Sequence, residues 1–287
     1  MFWTVKLNSL LAVILIGILI LTGGFVLYRP AQSAFSEQQE VEVPILMYHH
    51  ILKDSSRWGT YVIGPKELEQ DLIYLKEKGY ETVTAENVIQ YVYNGTPLPE
   101  KPVMLTFDDG YYSNFVYAKE LLEQYQMRGV LFIIGKYTDD YSKSEEENPS
   151  YSHVTWARCR EMRKEGTLEL QNHTYNMHSF SATRQGSSKS KGETLWQYHF
   201  ALSEDLKKLQ EQFRKETGYL PRAFAYPFGI VSPESVDVLK ELGFLAAFTS
   251  NEGINHLSPG STEELYHLKR ILRPSGVSAQ TLLEQFK

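Results

Sequence analysis

Two short stretches hold the residues that could do chemistry. Thr106-Phe107-Asp108-Asp109-Gly110 sets two carboxylates side by side, and the segment from Gln171 to His178 carries His173 and His178 five residues apart. Neighbouring like charges repel, so each acid of the doublet needs its own partner. One could hold a metal ion while the other stays free as a base. Taken singly, Asp-Asp-Gly more often caps a following helix, and each histidine is more often a hydrogen-bonded or surface residue than a ligand. A helix would set the two histidines about 140° apart, so they meet on one ion only if their segment curls as a loop. Two imidazoles and one carboxylate would leave coordination positions open, the pattern of a catalytic metal. The gain is large: a carboxylate facing bulk water is mismatched by roughly 12 pKa units, about 16 kcal/mol, against some 3 units once a metal has brought the water to about 7.

The elements that must position these groups follow from periodicity. Val103-Met104-Leu105 leads into the doublet and a helical pattern from Asn114 to Gln126 follows, which places the acids at the end of a buried strand. Further strands are expected at 44–48, 82–83, 130–134, 168–170, 223–226, 244–248 and 269–272. Helices are expected at 65–78, 85–93, 155–164, 195–217, 233–242 and 278–286, with Pro65 opening the first and Gly79 ending it. Short apolar strands alternating with amphipathic helices predict right-handed βα units around a largely parallel sheet. Seven or eight strands in one domain favour a closed or distorted barrel, whose strand ends carry the chemistry. Two polar insertions, 136–153 and 181–192, read as loops rimming that face.

The 287 residues are 42% hydrophobic and 22% charged, an ordinary globular composition with a formal charge of −6. Residues 1–34 hold Lys6 and Arg29 and no acid, so the remainder carries 27 basic against 35 acidic residues, or −8. Such a body has no electrostatic reason to bind nucleic acid. Leu10 to Leu27 is an unbroken uncharged run that would span roughly 27 Å as a helix, enough for a bilayer core. It is expected to be a single transmembrane signal-anchor within residues 1–28, preceded by a cytoplasmic stub and followed by a linker at 29–42 and one domain at 43–287. The domain would then lie outside the cell, or be secreted if the segment is cleaved near Ala31-Gln32-Ser33. One cysteine, Cys159, excludes an internal disulfide framework.

Taken together, Thr106-Phe107-Asp108-Asp109-Gly110, His173-Thr174 and the second histidine resemble the polysaccharide deacetylase family, the NodB homology domain of carbohydrate esterase family 4. The five-residue histidine spacing, Met47-Tyr48-His49-His50-Ile51 and Phe224-Ala225-Tyr226-Pro227-Phe228-Gly229 are similar to the branch of biofilm poly-N-acetylglucosamine deacetylases. The resemblance covers roughly residues 43–274. It implies an α/β fold, a deformed (β/α) barrel, and removal of N-acetyl groups from an extracellular N-acetylglucosamine-containing polysaccharide with a divalent metal, zinc first, with cobalt, nickel or manganese as alternatives. Position by position it makes Asp108 the general base, Asp109, His173 and His178 the metal ligands and His49 the acid, with the Phe228 backbone N–H as an oxyanion donor. His50 would point to the other face of the strand. The resemblance departs at Ala225, where the wider family has an arginine that orients the base, and at Lys269 to Arg273, which lacks the family's late histidine. These gaps leave room for slow turnover or an unusual substrate.

Other readings stay open. Peptidoglycan is an alternative substrate, and a carbohydrate-binding member of the fold with weak catalysis is an alternative function. Tyr111, Tyr175 and Trp156 could stack on sugar rings or serve the core. Gly129 to Lys136 lacks the spacing of a phosphate loop, and neither G-x-S-x-G nor H-E-x-x-H occurs. His153, His199, His256 and His267 have no motif support.

Overall fold

The structure, a computed structural model, describes residues 40–286. Its strands are β1 (Val41–Val43), β2 (Ile45–Tyr48), β3 (His50–Ile51), β4 (Val62–Ile63), β5 (Glu81–Thr82), β6 (Pro102–Phe107), β7 (Gly129–Ile133), β8 (Leu168–Asn172), β9 (Ala223–Ala225), β10 (Ala246–Phe248), β11 (Asn255–Leu257) and β12 (Ile271–Leu272). A curled parallel sheet runs in the order β10-β9-β8-β7-β6-β2-β12, with β5 also on β6. Its two edges are drawn together by residues just before β12. The Leu268 N–H donates to the Ala247 carbonyl at 3.0 Å and the Leu268 carbonyl accepts from Thr249 at 2.8 Å. This fits the expected (β/α) barrel.

Alternation along the strands explains why both faces are apolar. Every residue of β6 is buried, as parallel strands covered on both sides require. Leu105, Phe107, Leu131 and Ile133 pack outward with Leu68, Leu72 and Leu75 of the helix Pro65–Glu77. Met104, Val130, Phe132, Ala225 and Phe248 pack inward, joined by Val88, Ile89 and Val92 of the helix Ala85–Asn94. The long helix Leu195–Thr217 starts at a capping box, Thr194 with Gln197, and ends at left-handed Gly218.

Two expectations need correction, and one strand pair was not expected. The insertion 136–153 is not all loop, because Gly135–Ser144 is a helix that buries Thr138 and anchors Asp139 to the Trp156 indole at 2.7 Å. Its composition is so polar that no apolar stripe announces it. The linker stops short of residue 42: Val41 and Glu42 pair antiparallel with Leu257 and His256. β3 and β4, a two-residue parallel pair, were too short to leave a periodic signal. The transmembrane segment at 10–27 and the linker up to residue 39 lie outside the described residues. Among the described residues no helix is long and apolar enough to cross a membrane.

Candidate active site

Parallel strands deliver their C-terminal ends to one face, and β2, β6 and β8 bring His49, Asp108-Asp109 and His173 there. They open on a cleft of about 740 Å³ that is also lined by His178 and Phe228. Directly after β6 the backbone turns sharply, with Asp109 at φ 70° and Gly110 at φ 73°. A Cβ on Gly110 would sit a tight 3.1 Å from the Ile133 side chain, which adds to the conformational preference for glycine at this left-handed position. The turn separates the two acids and gives each its own surroundings.

After β8 the chain curls as the sequence requires for two histidines to share a target. Thr174 is left-handed at φ 72° and its N–H donates to Asn172 Oδ1 at 2.8 Å, while Thr174 Oγ1 accepts from the Met177 N–H at 3.1 Å. His178 thereby returns to His173. Their Nε2 atoms lie 3.2 Å (His178) and 3.5 Å (His173) from Asp109 Oδ1. One ligand atom from each of the three residues lies within 4.8 Å of the others.

These residues fit a divalent metal. Asp109 Oδ1 is buried yet makes no hydrogen bond, so the imidazoles approach it without donating in alignment. His173 Nδ1 lies 2.8 Å from the Ala225 carbonyl. A carbonyl can only accept, so Nδ1 carries the proton and the Nε2 lone pair faces the cluster, the usual outer support of a ligating histidine. Burial by itself would raise the Asp109 carboxyl, but without a metal the protonated forms of His173, His178 and His49 would hold it well below the usual range. Burial lowers the basicity of His178, and its contact with Asp109 more than reverses this.

Asp108 has a different partner. Arg270 grips it with both guanidinium nitrogens, at 2.7 Å to Oδ1 and 2.8 Å to Oδ2, and donates through Nε to the Thr249 carbonyl at 2.9 Å. Both side chains are buried. Burial pushes Asp108 up, and Arg270, His173 and His49 together outweigh it, leaving the carboxyl below its ordinary value. Sequence reasoning missed this residue. It marked Ala225 as a departure, but the guanidinium is present and comes from the approach to β12, while Ala225 contributes its carbonyl to His173. The available signal was an arginine inside a predicted strand, where a buried charge has to be paired.

His49 lines the cleft, its ring edge-on to Tyr61 at 4.8 Å and its Nδ1 without a hydrogen-bond partner. Burial lowers its basicity, against the pull of Asp108 and Asp109. His50 does not point away: the strand breaks between β2 and β3, alternation lapses, and His50 joins the same wall, with Nε2 3.0 Å from the Pro149 carbonyl. Phe228 is left-handed at φ 58°, and its ring packs on His178 at 4.3 Å and Phe180 at 4.1 Å. Tyr175 is not at the cleft. Its hydroxyl donates to Asp139 at 3.0 Å and its ring belongs to the outer core, since the loop turns toward Asp205 there. Trp156 likewise packs on Phe213, centroids 5.4 Å apart.

A barrel mouth that joins an Asp-His-His trio to a guanidinium-held carboxylate is equipped for metal-assisted hydrolysis. A family model described as polysaccharide deacetylase matches residues 95–247. The poly-beta-1,6-N-acetyl-D-glucosamine N-deacetylase of Escherichia coli (strain K12) is 25% identical over 258 residues, which cover 84% of this chain and 38% of that protein. The putative polysaccharide deacetylase YxkH of Bacillus subtilis (strain 168) is 25% identical over 241 residues, 84% of this chain and 75% of that one. IcaB from Ammonifex degensii superposes with a TM-score of 0.68 at 26% identity, over 86% of this chain and 96% of that chain. The Streptococcus pyogenes deacetylase PplD in complex with acetate shares the fold, with a TM-score of 0.69 at 23% identity over 87% of this chain and 100% of that chain. This chain belongs to the polysaccharide deacetylase family. It spans about two fifths of the length of the Escherichia coli relatives it matches.

Proposed function

We propose that the protein hydrolyses N-acetyl groups from an extracellular polysaccharide containing N-acetylglucosamine, with Asp109, His173 and His178 holding a divalent metal, zinc first among the candidates. The observation that carries this reading is the convergence of those three ligands beside a separately held carboxylate. The named activity of the Escherichia coli relative supports the substrate class. The apolar run at 10–27 supports attachment to the cell membrane with the domain outside.

When bound, the metal supplies Lewis acidity toward the acetamide carbonyl and lowers the pKa of a water to about 7. Asp108 takes a proton from the attacking water, and Arg270 keeps it ionised and fixed in direction. A C–O bond forms, the C–N bond breaks, and the nitrogen must gain a proton because an amide anion leaves poorly. His49 is placed to deliver that proton. To do so it must first take one up, and the Asp108 and Asp109 charges are what favour this against burial. The products are acetate and a free amine on the sugar. The Phe228 ring walls the cleft over His178, and its backbone N–H is the proposed oxyanion donor.

Acetate release from oligomers of N-acetylglucosamine by metal-loaded protein tests the reading, beside Asp108→Asn. Turnover by the wild type that falls at least about 100-fold in the variant is expected. No release from any N-acetylated glucan or peptidoglycan fragment would sink the reading.

A further inference from the structure

The aromatic residue that the sequence sets closest to the acid doublet is already covered by its neighbours. The Tyr111 ring lies parallel to His50, tilted by 3° with centroids at 4.0 Å, and His153 packs on it at 4.8 Å. With Tyr175 and Trp156 packed elsewhere, the sugar-stacking role falls to rings that the sequence did not mark. Two stand open in the cleft. Tyr61 is 57% exposed and Phe180 is 61% exposed, and both line its walls. Neither is loose. The Tyr61 carbonyl accepts from the His50 N–H at 3.0 Å, and its loop is pinned where the Trp58 indole donates to the Leu52 carbonyl at 2.8 Å and the Ser275 N–H donates to the Gly59 carbonyl at 3.0 Å. Phe180 stands on a turn closed by the Ser181 N–H, which donates to the Arg184 carbonyl at 2.8 Å, and by the Gly186 N–H, which donates to the Ser179 carbonyl at 3.0 Å.

Each open ring continues a row that starts at the reacting groups. Tyr61 lies edge-on to His49 at 4.8 Å, and Phe180 reaches His178 through Phe228, at 4.1 and 4.3 Å. The rows stand on opposite sides of the cleft. His49 follows β2 and Phe228 follows β9, and Asp109 and His173 rise from strands that lie between those two in the sheet. We infer that Tyr61 and Phe180 bind the sugar rings flanking the one that loses its acetyl group, so that residues inside a chain are selected over free N-acetylglucosamine. A pyranose presents an apolar face of C–H groups ringed by hydroxyls, and an open aromatic ring is its natural complement. Rings already fixed by their loops have little rotamer freedom left to lose on binding. Both rows lead away from the reacting atoms, so the energy they supply is remote from the chemistry. Only a substrate long enough to reach both sides gains from it.

The inference rests on the proposed polysaccharide substrate, and the test separates the two. Acetate release by the metal-loaded full chain is measured on N-acetylglucosamine and on its β-linked pentamer, for wild type, Tyr61→Ala, Phe180→Ala, Tyr61→Phe and Trp196→Ala. The readout is the ratio of kcat/KM on the pentamer to that on the monosaccharide, because any disturbance of His49 or Phe228 by a lost neighbour lowers both values alike. Two rings at about tenfold each should give wild type a ratio of about 100. Each cleft alanine is expected to lower that ratio about tenfold, and Tyr61→Phe, which keeps the ring, is expected to preserve it. Trp196, 72% exposed on the helix Leu195–Thr217 and outside the cleft, is the control, and its loss should leave the ratio unchanged. An undiminished ratio in both cleft alanines, or an equal fall in Trp196→Ala, would overturn the inference and leave the deacetylase reading standing. A wild type that releases acetate from neither sugar nor from peptidoglycan fragments would overturn both.

Discussion

Arg270 and Asp108 meet fork to fork across 162 residues of sequence, from strands separated in the sheet by β2 alone. The proposed base is therefore aimed from the approach to the last strand of the barrel. Arg270→Lys keeps the charge and loses the paired geometry. A misdirected base should lower kcat by about 100-fold with little change in KM, in acetate-release kinetics. Arg270→Gln leaves a buried carboxylate without its counter-ion and should cost about 3–5 kcal/mol in urea unfolding. Equal stability in that variant would count against the pair as seen.

Metal should stabilise the fold because the ligands come from two strands and a loop that unfolding disperses. At a free concentration of 100 times Kd the gain is about 2.7 kcal/mol, a rise in Tm of roughly 5–10 °C for a domain this size. A chelator should reverse it. His173→Ala and His178→Ala should show no rise, whatever their own Tm.

Phe228 holds a left-handed conformation that costs a side-chain-bearing residue about 1–2 kcal/mol, while its ring walls the cleft. Phe228→Gly removes both the strain and the wall. Unfolding free energy should stay within about 1 kcal/mol of wild type, since relief and lost packing offset each other. KM for oligomers should rise several-fold more than kcat falls, and an unchanged KM would remove Phe228 from the substrate wall.

Tyr175→Phe deletes a hydroxyl bonded to Asp139, away from the cleft. It should cost about 1 kcal/mol of stability and leave turnover within about twofold. A large kinetic effect at normal stability would return Tyr175 to the substrate list.

Glu169 tests the opposite end of the sheet from the cleft. Burial raises its carboxyl, only partly offset by Thr84, Gln171 and the Glu86 N–H. A raised folded value means the ionised form is penalised, so the stability associated with this group is full below the unfolded pKa of about 4.3 and is lost as pH rises through the folded value. Glu169→Gln should therefore compare better with wild type at pH 8 than at pH 4.5, in paired urea titrations. A difference independent of pH would refute the shift.

The barrel was legible because its strands are short apolar runs that need no partner to be recognised. Val103 to Phe107 and Val130 to Ile134 are examples. The Asp109, His173 and His178 trio was legible because an acid doublet and two histidines on a loop restrict each other. Arg270 was not, because pairing across the seam depends on three-dimensional closure that no local pattern encodes. Tyr175 misled for the converse reason: an aromatic beside a ligand looks like a sugar platform until the loop's turn toward Asp205 is known.

The seam at residues 268–273 has a consequence for the order in which the protein matures. Chains emerge from synthesis N-terminal end first, so the acid doublet, both histidines and Phe228 are all made before the arginine that holds Asp108. Until residues 268–273 dock between β10 and β2, Asp108 lacks its counter-ion and the barrel is open along one side. On the proposed mechanism, a chain clipped before residue 268 would be silent even with every metal ligand in place.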